Sequence, residues 1–134
     1  MKKILLILIS ILTLSSQTMA YEEANYEIIN ENNNYEIRKY FDRLVIETNT
    51  TQGNGFKKLF NYISGNNEQK KEIKMTVPVT QEIKNGNMTM QFYLPSKFNK
   101  SNAPKPSNPD IKDLTIEGGY YAVIKYSGRS SDNN

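Results

Sequence analysis

Beyond the leader described below, apolar and polar positions alternate through the first part of the chain. In Tyr35-Glu36-Ile37-Arg38-Lys39-Tyr40-Phe41, positions 35, 37 and 41 fall on one side of an extended strand, and Glu36, Arg38 and Tyr40 on the other. A second strand fits Leu44 to Thr48 with Leu44 and Ile46 inward, and Asp42-Arg43 marks a turn or bulge between the two. An earlier strand fits Tyr26 to Ile29, with the polar stretch Asn30 to Asn34 as its loop.

The period then changes. Phe56, Leu59, Phe60 and Ile63 stand at i, i+3, i+4 and i+7, one face of a helix of about three turns. Asn54 is placed to cap its start, and Gly65 to end it in a left-handed turn. Strand periodicity returns at Ile73, with Met75, Val77 and Val79 on one face and Thr76, Pro78 and Thr80 on the other. Pro78 has no N–H for a ladder, so it implies an edge or a bulge. Asn85-Gly86 between two alternating runs predicts a hairpin, and the return strand Met88 to Leu94 puts Met88, Met90, Phe92 and Leu94 on one face. A proline-punctuated connection follows, with Pro95, Pro104, Pro106 and Pro109. Two further strands fit Asp110 to Ile116 and Tyr120 to Tyr126, separated by Gly118-Gly119. Strands, helix, hairpin, long connection and strands make an α+β pattern. The closing residues 127–134 read as the lead-in to a helix.

The N-terminus has a different character. Lys2-Lys3, the apolar run from Ile4 and the small-residue stretch ending at Ala20 have the form of an export signal, residues 1–20. The run is too short to span a bilayer, which takes roughly 20 apolar residues. The expected mature domain, residues 21–134, is exported to a periplasmic or secreted location and has no membrane segment after cleavage. Its charge also changes. The whole sequence carries 17 basic and 14 acidic residues, net +3; Lys2 and Lys3 leave with the signal, which brings the balance to +1. That balance gives no nucleic-acid footprint.

The sequence contains neither Cys nor His. Stability therefore comes from packing without disulfides. Ser-His-Asp and Cys-His catalysis and the commonest zinc ligand are excluded. Glu36, Asp42 and Glu47 do not define a glycosidase pair, and no P-loop or metal-centre spacing occurs. A binding protein rather than an enzyme is expected, with no metal site.

Several segments then form a set: Tyr35-Glu36-Ile37-Arg38 with Tyr40, the helix end Asn61-Tyr62-Ile63-Ser64-Gly65, Lys74-Met75-Thr76-Val77-Pro78-Val79, Phe92-Tyr93-Leu94-Pro95, Ala103-Pro104-Lys105-Pro106 and Tyr121-Ala122-Val123-Ile124. In this order and spacing the chain resembles the SOUL haem-binding protein family. Met-Thr-Val-Pro-Val is the most specific piece. The resemblance implies a distorted β-barrel of two βαββ halves with flanking helices, of which this sequence supplies the first half and the opening strands of the second, with the C-terminal part missing. It implies non-catalytic binding of haem or a related porphyrin in an apolar groove, for transport, buffering or sensing. By the same resemblance the helix forms one wall of that groove, which assigns Phe56, Leu59, Phe60 and Ile63 as contacts and Lys57 or Lys58 as a partner for a propionate. The same apolar stripe would serve equally as core. With no His, an iron ligand would fall to Met75, Met88, Met90, a Tyr or a Lys, or be absent. An alternative ligand class is the flat effector molecules bound by domains of similar fold, where a buried Glu is diagnostic; Glu36 is the candidate, against the simpler reading of a paired surface charge. Nothing in the sequence identifies a protein partner.

Overall fold

The computed structural model describes residues 20–51 and 53–127. All of the leader except Ala20 lies outside the described residues, as do residues 128–134. No helix among the described residues is long and apolar enough to cross a membrane.

The order of elements is β1 (Glu22–Glu23), β2 (Tyr26–Glu31), β3 (Glu36–Tyr40), β4 (Arg43–Thr50), α1 (Gly55–Ile63), β5 (Thr76–Val77), β6 (Val79–Lys84), β7 (Asn87–Tyr93), β8 (Ile111–Ile116) and β9 (Gly119–Val123). The α+β class expected from the periodicity is therefore found. A four-stranded antiparallel sheet runs β6-β7-β4-β8, with α1 against one face. A three-stranded antiparallel sheet runs β2-β3-β9, and β1 pairs with β5 in parallel. The described sheets do not close into a barrel: β6 and β8 end one sheet, and β2 and β9 the other. Closure requires every edge strand to find a partner, and these edges have none among the described residues.

The β6–β7 hairpin forms as the Asn-Gly signal predicts. Lys84 pairs with Asn87, and the two residues between them adopt positive φ, +51° at Asn85 and +75° at Gly86. Met90, Phe92 and Leu94 are buried on the α1 side, as the alternation requires. Leu44 and Ile46 of β4 join them, and α1 adds Leu59, Tyr62 and Ile63.

The segment from Ile73 departs from expectation. The single strand predicted there is broken at Pro78, which follows a cis peptide, into the two residues of β5 and the longer β6. Lacking an N–H, Pro78 cannot continue a ladder. Thr76, placed with the polar face in sequence, is buried, and its hydroxyl donates to the Tyr93 carbonyl. Val79 is exposed instead.

Two features carry the chain between the sheets. Asp42 Oδ1 accepts the Gly118 N–H at 2.7 Å. A Cβ at Gly118 would lie 2.4 Å from the Tyr40 carbonyl oxygen, so only glycine lets the β8–β9 turn sit against Tyr40-Phe41. The proline-rich connection is non-helical, as expected, and straps the end of α1. The Tyr62 hydroxyl donates to the Pro104 carbonyl, Glu68 N–H donates to Lys105 O at 2.9 Å, and Asn67 forms a bridge with Pro106.

Candidate functional site

The helix divides its apolar residues between two tasks. Leu59 and Tyr62 are fully buried and Ile63 is 5% exposed, whereas Phe56 and Phe60 are each 47% exposed. Phe56 and Phe60, four residues apart, stack at 6.0 Å, and Phe56 meets Phe92 edge-on at 5.2 Å. The stripe read in the sequence is thus partly core and partly surface. Asn54 stands at the N-cap, but its side chain does not cap the helix; its Oδ1 accepts the Thr50 hydroxyl at 2.9 Å. Ser64 and Gly65 close the C-terminal turn onto Phe60 and Tyr62 carbonyls, with Gly65 at φ +112°.

Phe60 and Ile63 form one wall of a cleft of about 390 Å³ whose other wall is Ile73 and Met75, with Glu72 and Lys74 beside them. A second cleft of about 500 Å³ lies between Tyr21, Met75 and Pro95, bordered by Glu22, Lys74 and Lys97. Both are lined by Lys74 and Met75, so the two clefts adjoin at these residues, between the C-terminal half of α1 and the start of the domain. Each part falls in the volume range of small-molecule sites, roughly 300–1,000 Å³. A third, smaller cavity of about 110 Å³ near Asp42, Glu22 and Glu23 is too tight for a large planar ligand.

The groove is apolar along its walls and mixed in charge at its borders. Lys74 is exposed and has no ion-pair partner among the described residues. Lys97 lies 5.2 Å and Lys71 5.3 Å from the Phe98 ring centre. The Glu22 carboxylate is already engaged by the Ser96 N–H at 2.7 Å.

Of the five residues assigned in sequence, Phe60 and Ile63 line this groove. Phe56 lies beside Phe60 on the same exposed flank, Leu59 is enclosed in the core, and Lys57 is exposed but not part of the lining. Lys58 is held by Asp110, the residue before β8, at 2.9 Å. The groove residues missed in sequence include Tyr21, Ile73, Lys74, Pro95 and Lys97. They come from three separate stretches that no periodicity connects.

Glu36 is paired with the Arg38 guanidinium at 2.7 Å, as the simpler reading has it, but the pair is not on the surface: their side chains are 19% and 11% exposed. Arg38 also donates to the Tyr40 hydroxyl at 3.0 Å and lies 4.1 Å from the Tyr26 ring centre. A carboxylate so neutralised is poorly placed to receive a cationic ligand. Among the described residues no three His, Cys, Asp or Glu side chains cluster as a metal site.

Residues 21–134 match the family described as SOUL heme-binding protein. Heme-binding protein 2 of Mus musculus is 33% identical over 97 residues, covering 62% of this chain and 45% of that protein. Heme-binding protein 2 of Homo sapiens is 33% identical over 91 residues, covering 58% of this chain and 44% of the relative. The chain thus spans under half the length of the curated relatives it matches.

Proposed function

Given that the chain belongs to the SOUL heme-binding protein family, we propose that it binds haem or a related tetrapyrrole non-catalytically in the groove between α1 and the Ile73–Met75 segment. The observation that carries this reading is the groove itself. Apolar walls from Phe60, Ile63, Ile73 and Pro95 suit a flat macrocycle, and Lys74 and Lys97 can meet its carboxylates. The residues present fit such a group. When bound, haem would supply iron-centred ligand chemistry, and this chain's residues would enclose the ring, exclude water from one face and neutralise its acids.

The finer parts of the reading follow from the sequence and the family. Strand β4, helix α1 and strands β6 and β7 have the order of one βαββ half, and in the proposal the distorted barrel is completed by a second. The leader supports a role outside the cytoplasm, in capture, transport or sensing. Neither part bears on whether the groove takes a porphyrin.

Titration of the purified protein with hemin and with iron-free protoporphyrin IX, followed by absorbance, tests the proposal. A saturable change in the porphyrin bands is expected, with Phe60→Ala weakening binding by roughly tenfold, the size of one lost aromatic contact of about 1.5 kcal/mol. Absence of saturable binding by both of these ligands and by reduced haem would sink the reading.

A further inference from the structure

We propose that Met75 is the residue that meets the metal of a tetrapyrrole in this groove, and that the groove therefore prefers ferrous to ferric haem. The inference rests on the reading of the groove as a tetrapyrrole site. With no His or Cys in the sequence, the soft donors are thioethers. Among the described residues these are Met75, Met88 and Met90. Met90 is sealed in the core at 8% exposure, and Met88 packs against that core from β7 without lining the groove. Met75 is half-buried, packs against the same core, and contributes to the wall of both clefts. A ligand seated in either cleft therefore lies against it.

Competing donors at the groove are the Tyr21 phenol, the amines of Lys74 and Lys97, and the carboxylates of Glu22 and Glu72. A phenol or an ammonium must lose a proton before it can ligate, whereas a thioether has no proton to lose. A carboxylate is a hard oxygen donor, and the Glu22 carboxylate is already engaged by the Ser96 N–H, so Met75 is the soft donor at the groove that ligates without losing a proton. A thioether also stabilises reduced iron over oxidised iron, as axial Met does in raising haem potentials. By linkage, each tenfold preference for the ferrous ligand corresponds to about 59 mV in the potential of the bound iron.

The test compares reduced haem, hemin and iron-free protoporphyrin IX on the full chain and on Met75→Leu, a swap of similar volume. Met88→Leu serves as the control for methionine packing. In the parent protein reduced haem is expected to bind at least tenfold tighter than either hemin or the iron-free ring, with a thioether-to-iron absorption signature. In Met75→Leu that ratio falls to near one and the signature is lost, while Met88→Leu keeps both. A ratio near one in the parent, or one that persists in Met75→Leu, overturns the proposal; bound iron-free porphyrin in the same experiment leaves the groove reading standing. If the parent binds none of the three, the groove reading falls and this inference falls with it.

Discussion

The two faces of strand β4 are built on opposite chemistry. On the α1 side, Leu44 and Ile46 pack with Leu59, Tyr62, Met90 and Phe92 in a continuous apolar core. On the other side, Val45 is buried beside Arg43 and Glu47, and the neighbouring strands contribute Tyr93, Gln91 and Thr80. There Gln91 donates to Glu47 Oε2 at 2.6 Å, and the Thr80 hydroxyl bonds Gln91 at 3.1 Å. Arg43 reaches across to the three-stranded sheet, its guanidinium 4.3 Å from the Tyr40 ring centre, 4.7 Å from Tyr93 and 5.8 Å from Tyr121. Its Nε and Nη1 are buried without hydrogen-bond partners. One face is thus held by volume and the other by paired polar groups and a stacked cation. Truncating a large side chain is costly on the first; on the second, substitution costs what the broken pair was worth.

The largest effect is expected on the packed face. Ile46→Ala removes a fully buried side chain between helix and sheet and should destabilise by about 2–5 kcal/mol in urea unfolding. A loss below 1 kcal/mol would mean that the face is not close-packed. Tyr62→Phe is next. It leaves the buried Pro104 carbonyl without its donor, at a cost of about 1–3 kcal/mol.

Tyr62 also makes stability depend on alkaline pH. Burial, reinforced by Asp113, pushes its phenol up to about 12 from an ordinary value of 10. Because the folded value is the higher, the contribution is fully present below pH 10 and is lost as pH rises toward 12, on the order of 2 kcal/mol in all. Burial raises Tyr93 in the same direction, opposed by Arg43. The unfolding free energy measured from pH 9 to 12 should fall less steeply in Tyr62→Phe than in the parent; equal slopes would contradict the assignment.

The smallest effects belong to the polar face. Arg43→Met should change stability by less than about 1 kcal/mol. Desolvated stacking contributes up to about 2 kcal/mol at each of the three rings, and each of the two unpaired buried N–H groups costs roughly 1–3 kcal/mol, so the two effects nearly offset. A loss above 2 kcal/mol would show that the cation holds the two sheets together. Glu47→Ala should cost about 1 kcal/mol through the broken bond from Gln91, measured in the same denaturation series.

Local patterning decided much of this architecture. Alternation placed β3, β4 and β7, the 3.6-residue period placed α1, and Asn85-Gly86 fixed a hairpin, because each depends on neighbours a few residues away. It also put Glu36, Arg38 and Tyr40 on one strand face, where they do interact. Sequence pattern did not tell that this polar face turns inward, since that depends on Tyr26 and Tyr121 arriving from other strands to cover it. Tyr62 was absent from the predicted stripe for the same reason. Its hydroxyl is tolerated in the core only because the connection returns Pro104 to accept from it, 42 residues later.

The candidate site divides along the same line. The sequence by itself determined the family, the absence of histidine and cysteine, and the aromatic pair Phe56 and Phe60 on one helix. Only the tertiary structure decided that Leu59 belongs to the core while Phe60 remains exposed, and that Tyr21, Met75 and Lys97 meet in one groove. Periodicity reports which residues share a face, but a groove is the space between faces, and its walls are fixed by packing between segments distant in the chain.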